Sequence, residues 1–248
     1  MNKQGTFKLL STLVLLAIGV IIMNSCKKDT IYSCDPKLNS WAKDNRNSFH
    51  DITRQQLALL PMSIQNAIYN TLTPEEKRNL WVEKLNIVME EWPEPISTMV
   101  DKLTTNLELF HPEKQWGLTN EDDLYIHSWE NEMLSGNMDS TDYVVCFYML
   151  ATYEELDMLT NYPDKIDYSW FDFPEYFNLG QKEAPGGSHG SNDCNCSNSI
   201  LCYFSSLGKC IDDLNKCSHT TTGCGMFKLY PCTGQCENWE LEQPIVND

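Results

Sequence analysis

Eight of the chain's eleven cysteines fall in the last quarter of its 248 residues: Cys194, Cys196, Cys202, Cys210, Cys217, Cys224, Cys232 and Cys236. A segment as short as 193–248 buries too little apolar surface to be stable by itself, so cross-links must supply the difference. An even cysteine count in an exported segment implies four disulfides, each contributing about 2–4 kcal/mol by restricting the unfolded chain. Eight cysteines allow many pairings, and spacing alone does not choose among them. Ile200, Phe204, Leu207, Ile211 and Leu214 recur at helical spacing, which predicts a helix over 200–215 with Ser197 or Ser199 as its cap. Gly223-Cys224-Gly225 calls for a tight turn, and Met226–Tyr230 running into Pro231-Cys232-Thr233-Gly234-Gln235-Cys236 suggests a short hairpin. Zinc, with His189 or His219 joining the thiolates, is the rival use of these cysteines. The chain lacks the close cysteine pairs of a zinc ribbon, and no metal or other cofactor is expected.

The oxidising setting is read from the N-terminus. Lys3 and Lys8 precede an apolar run from Leu9 to Met23, and Ser25 stands directly before Cys26. The run is short of the ~20 residues a membrane-spanning helix needs, so it reads as an export signal. Met23-Asn24-Ser25-Cys26 resembles a lipobox, although Met23 and Asn24 are atypical there. Residues 1–25 are then the lipoprotein signal peptide, and Cys26 carries the lipid after cleavage. An uncleaved anchor or an ordinary signal peptide is the alternative, and each still exports the chain. Exported thiols pair by default. Loss of residues 1–25 removes two lysines and no acids, shifting the formal charge from −17 to −19. So acidic a chain is a poor partner for nucleic acid, whose phosphates need Lys and Arg. The expected address is the cell envelope, as an outer-membrane lipoprotein facing the periplasm or the exterior.

After a tether over 26–39, residues 40–180 read as an acidic, all-α domain of five or six helices. Thr73-Pro74-Glu75-Glu76 is a capping box with proline at the first helical position. Trp81, Leu85, Val88 and Trp92 follow at the spacing of one face, and Pro93 and Pro95 end the run. Ile96, Val100, Leu103, Leu107 and Phe110 form a second stripe. Leu57, Leu60, Ile64 and Ile68 form an earlier one, broken near Pro61. Thr119 or Asn120 is expected to cap a helix burying Leu124, His127 or Trp129, and Met133. A last helix runs through Val144, Phe147 and Leu150. Residues 162–177 are rich in rings (Tyr162, Tyr168, Trp170, Phe171, Phe173, Tyr176, Phe177), which either cap the core or form a strip for a sugar or peptide.

Chemistry is sparse in this domain. His50, His111 and His127 are dispersed, and adjacent acids such as Glu75/Glu76, Glu90/Glu91 and Glu154/Glu155 point in different directions on a helix. There is no nucleophile elbow, phosphate loop or Cys-x-x-Cys pair, so no enzyme is expected. Cys34 and Cys146 form an optional extra bridge between the arm and a late helix. Residues 181–192, with Ala184-Pro185-Gly186-Gly187-Ser188, read as a flexible Gly/Ser linker open to proteases.

Taken together, Leu59-Leu60-Pro61, Gln65-Asn66-Ala67-Ile68-Tyr69, Leu72-Thr73-Pro74-Glu75, Leu80-Trp81 and the tail pattern Cys194-Asn195-Cys196, Gly223-Cys224-Gly225 and Cys232-Thr233-Gly234-Gln235-Cys236 resemble the fulvocin C-related bacteriocin family. The resemblance implies a bacteriocin-like, disulfide-rich module at 193–248. The expected fold is thus an all-α domain followed by that module, built from a short helix and a hairpin. The expected function is a lipid-anchored protein that displays or releases the module toward an envelope target. Between Cys194 and Cys236 three lysines face Asp212 and Asp213, too weak a positive charge for a lytic peptide. A receptor contacted through Tyr203, Phe204, Phe227 and Tyr230 is the more natural target. The alternative is a non-toxic surface lipoprotein whose helical domain or tail docks a protein partner.

Overall fold

A computed structural model describes residues 30–90, 92, 94–105, 119–136, 138–175, 192–194, 209–211, 220 and 222–237. Ile31–Asp248 forms a compact unit distinct from Met1–Thr30. Eight α-helices lie among the described residues, more than the five or six expected, because Pro36–Asn45 and Tyr153–Asn161 add helices outside the expected stripes and Pro61 divides one of them.

Asp35 accepts from the backbone N–H groups of Lys37 and Leu38, both at 2.8 Å, and starts α1 (Pro36–Asn45) with proline in its first turn. Thr53 and Gln56 form a capping box for the short α2 (Arg54–Ala58). Pro61 separates it from α3 (Met62–Thr71), as the break near Pro61 anticipated. The buried Gln65 amide reaches back from α3 and donates to the Leu57 and Ala58 carbonyls at 3.1 and 3.3 Å, closing the open end of α2. The Thr73–Glu76 box opens α4 (Pro74–Met89) as expected. α5 (Glu94–Thr105) follows. Thr119 and Asp122 exchange side-chain-to-backbone bonds at the start of α6 (Asn120–Gly136). α7 (Ser140–Phe147) leads through a third complete box, Thr152–Glu155, into α8 (Tyr153–Asn161).

The expected stripes meet in one core. Leu57, Leu60, Ile64, Ile68, Trp81, Leu85, Val88, Ile96, Val100, Leu103, Val144, Phe147 and Leu150 are all buried. Leu107 and Phe110 lie outside the described residues. On α6 Met133 and Trp129, rather than His127, are buried as expected, but Ile126 takes the inward place expected of Leu124, which is 70% exposed. Trp129 decides this, because its ring packs edge-on against Phe147 at 4.8 Å and sets which side faces inward. Of the ring-rich segment, Tyr168, Phe171 and Phe173 pack against the core. Phe171 lies 5.9 Å from Trp41, and Tyr168 donates to the Leu59 carbonyl at 2.8 Å. Tyr162 and Trp170 stay largely exposed, and Tyr176 and Phe177 fall outside the described residues.

The tail supplies five short strands: β1 (Asn192–Cys194), β2 (Lys209–Ile211), β3 (Gly223–Cys224), β4 (Tyr230–Pro231) and β5 (Gly234–Glu237). β5 lies between β1 and β2, antiparallel to both, and β3 pairs antiparallel with β4. Strand β2 corrects the helix expected over 200–215 at Lys209–Ile211, the rest of that range lying outside the described residues. Cys210 lies opposite Cys236 in an extended ladder, so no helix runs through Ile211. Helical spacing stabilises a helix only where an apolar face has a partner surface; here ladder hydrogen bonds occupy that backbone instead. A short hairpin is present but shifted from the one expected: Gly223–Cys224 forms a strand rather than the tight turn, Met226–Lys228 forms the 3-10 turn, and Tyr230–Pro231 returns as β4.

Two basic side chains are buried within the helical body. Arg54 forms a bidentate pair with Glu155, both bonds at 2.7 Å, and also donates to the Leu150 carbonyl at 2.9 Å. Lys84 is fully buried and donates to the Val145 and Ala151 carbonyls, tying α4 to the α7–α8 connection. Burial alone would raise the Glu155 carboxyl. The Arg54 hydrogen bonds, the Thr152 N–H and the charges of Arg54 and Lys84 prevail and hold it below its ordinary value. Arg54 also reaches the half-exposed Glu83 at 3.2 Å; Glu155→Gln removes its buried bidentate partner and should still cost about 3 kcal/mol in urea unfolding. A carboxyl with a lowered folded pKa contributes stability that is complete above its unfolded value of 4.5 and is lost as pH falls through the folded value. The wild-type advantage over Glu155→Gln should therefore shrink on acidification below that point. An unchanged difference would contradict the account.

Candidate functional site

The densest set of interactions outside the helical core joins three distant stretches of chain: the arm at 31–35, α3 with the start of α4, and the tail at 220–232. Helix α3 is the platform. Asn66, Tyr69 and Asn70 stand at i, i+3 and i+4, and therefore on one face. That face carries the tail.

The tail enters as a turn closed by the Cys224–Cys232 disulfide, whose Cα atoms are 5.2 Å apart. Gly223 (φ +117°) and Gly225 (φ +68°) allow positive φ, and no side chain has room at Gly223: a Cβ there would lie 2.7 Å from Asn70 Nδ2. Phe227 and Lys228 also take positive φ, 51° and 54°, without being glycine. Such conformations cost about 1–2 kcal/mol each for L-residues, so surrounding contacts must enforce them. Those contacts are visible. Phe227 is fully buried, edge-on to Trp81 at 5.1 Å and to Phe147 at 5.8 Å. Its carbonyl accepts from the Tyr69 hydroxyl at 3.0 Å, and Trp81 Nε1 donates to that same hydroxyl at 3.1 Å. Burial pushes the Tyr69 phenol far above its ordinary pKa, the Trp81 bond working the other way, so it acts as a fixed polar bridge. Lys228 is buried and donates to Asn66 Oδ1. Tyr143 donates to Met226 Sδ at 3.2 Å.

Asn70 links the three stretches. Its amide donates to the Tyr32 carbonyl in the arm at 2.9 Å, and its oxygen accepts from Thr222 Oγ1 at 2.9 Å. Lys77, at the start of α4, donates to Thr222 at 3.0 Å and lies 5.0 Å from the Tyr69 ring centre. The residue is half-buried, with its amine directed at Thr222. Desolvation pushes that amine down to about 8, only partly opposed by the Glu76 charge. Thr220 and Cys232 exchange two bonds, 3.2 and 2.9 Å, and close the tail upon itself.

The cysteines sort differently from expectation. Cys146 keeps its thiol, buried in α7, whereas Cys34 is disulfide-bonded. The extra bridge between Cys34 and Cys146 is therefore absent. The reason is positional: the arm packs Cys34 against Cys224 and Cys232, with its sulfur 3.7 Å from the Cys232 carbonyl. Of the expected tail disulfides, Cys224–Cys232 is in place. The side chains of Cys194, Cys196, Cys202, Cys210, Cys217 and Cys236 lie outside the described residues, as does Cys26. Among the suggested target contacts, Phe227 is withdrawn from any partner by its burial. Tyr230 is half-buried, pairs with Cys224 across β3–β4 and donates to Asp123 at 2.9 Å. Tyr203 and Phe204 lie outside the described residues. No cluster of three or more metal-ligating side chains occurs among the described residues.

Asn66, Asn70, Lys77 and Lys228 were not singled out by sequence. The usable signal was polar residues on an otherwise apolar α3, since Ser63, Gln65 and Asn66 are buried there. Compared with known proteins, the chain matches no family model, no curated protein and no solved structure.

Truncating the anchor tests how far tail and body depend on each other. Phe227→Ala should lower the stability of the whole unit by about 3–5 kcal/mol, through lost burial and the cavity left behind. Urea unfolding followed by tryptophan fluorescence reads this directly, since Trp81 lies in the body. A body midpoint unmoved by the substitution would mean that the tail contributes nothing to it.

Proposed function

We propose that this is an exported, lipid-anchored protein of the cell envelope that works as one folded piece and docks a polypeptide partner. Signal residues 1–25 direct export, and Cys26 carries the lipid. The observation that carries the single-piece reading is the burial of Phe227 among Trp81, Tyr69 and Phe147, which makes the tail part of the body's core. Releasing the tail would expose that aromatic socket to water and leave Arg54-to-Trp81 helical packing without one of its walls. This favours a displayed tail over a detached one. It also moves the docking role toward the exposed surface of the acidic helical domain, because the tail's best aromatic candidate faces inward.

The bacteriocin-like cysteine pattern fits this proposal if the module acts in place, as a protease-resistant element on the anchored protein. Catalysis is not part of the reading. The described residues offer charged groups that are structural, namely the Arg54–Glu155 pair and the carbonyl-bound Lys84.

Immunoblotting cells and medium with an antibody against the tail separates retention from release. The proposal expects full-length protein in the membrane fraction, lipid labelling that disappears in Cys26→Ala, and no tail fragment in the medium. A freed, oxidised fragment carrying the eight tail cysteines and inhibiting related strains would overturn it.

A further inference from the structure

Helix α6 is buried along one side and exposes large apolar side chains along another. One side is fully committed: Ile126, Trp129 and Met133 are buried, with Trp129 against Tyr143 and Phe147. On the other side Leu124 is 70% exposed and Leu134 is 40% exposed. Leu124, His127, Asn131 and Leu134 follow at i, i+3, i+7 and i+10, so the two leucines share one outward face about three turns long. Scattered surface leucines are ordinary, but two on one face of a helix already buried on the other form an unpartnered amphipathic stripe.

The charge around the stripe is of one sign. α6 carries Glu121, Asp122, Asp123, Glu130 and Glu132 and no Lys or Arg. Across residues 119–175 there are 14 acidic residues against the single Lys165. Its one basic-capable side chain, His127, already sits between Asp123 at 3.6 Å and Glu130 at 3.4 Å. An apolar stripe rimmed by carboxylates, with no Lys or Arg on the helix, repels anionic lipid and other acidic surfaces. It complements a polypeptide that presents leucine-like side chains flanked by lysine or arginine.

Resting on the reading of an anchored docking protein, we infer that the Leu124–Leu134 face of α6 binds a cationic amphipathic helix of a partner protein. The apolar contacts supply the holding energy, and the carboxylates supply orientation and rapid encounter. Asp122 and Asp123 are partly engaged in the α6 cap and with Tyr230, so Glu121 and Glu132 are the acids most available for pairing.

The test uses the intact mature protein and three synthetic helical peptides: Lys/Leu amphipathic, Glu/Leu amphipathic, and Lys/Ser without an apolar face. Calorimetry should detect binding of the Lys/Leu peptide alone. Leu124→Ser/Leu134→Ser, both at exposed positions, should weaken it about tenfold or more. Glu121→Gln/Glu132→Gln should weaken it and flatten its salt dependence. Absence of binding, equal binding of the Lys/Ser peptide, or full binding by the leucine variant would each overturn the inference. None of these outcomes bears on anchoring or tail retention, which the cell and medium blots decide separately.

Discussion

The seating of Phe227 between Trp81 and Phe147 is the contact on which the rest of this architecture depends. It places a residue from the cysteine-rich tail in the middle of a helical core assembled from residues more than seventy positions upstream. Two left-handed residues in succession are tolerated because the socket grips both: Phe227 by its ring and carbonyl, Lys228 by Asn66. The Cys224–Cys232 disulfide then holds the ends of the turn together. Burial pulls the turn in, and the cross-link keeps its opened form from gaining much chain entropy.

The consequence for organisation is that the boundary drawn at the glycine-rich segment separates compositions more than it separates packing. Asn70 makes the point in a single side chain: one amide holds the arm through Tyr32 and the tail through Thr222. The arm is also tied by Cys34, which packs with the two tail cysteines. Such closure ties the arm at 31–35 and the turn at 222–232 to the same face of α3, which limits local opening of either.

Much of the helical body was legible because local rules governed it. The Thr73–Glu76 box, the break at Pro61 and the stripes through Trp81–Val88 and Ile96–Leu103 rest on capping and periodicity, which sequence displays directly. On α6 Trp129 and Met133 were legible, but Leu124 was misplaced because it and Ile126 are equally apolar and the packing of Trp129 chose between them. The tail was less legible. Its helical spacing at 200–215 lost to strand pairing at Cys210, and the Cys34–Cys146 bridge failed because cysteine pairing depends on long-range placement. The α3 face that carries the tail was nearly invisible, since Asn66, Asn70 and Lys77 acquire their roles only when partners 145 to 162 residues away arrive.

Native-state hydrogen exchange on the oxidised mature protein tests the single-unit account most directly. If the tail turn is part of the core, the protected amides of 222–232 exchange with the same opening free energy as those in the middle of α3 and α4. Tail amides that open well below that level, while α3 and α4 remain protected, would show a separately folding module and contradict the account.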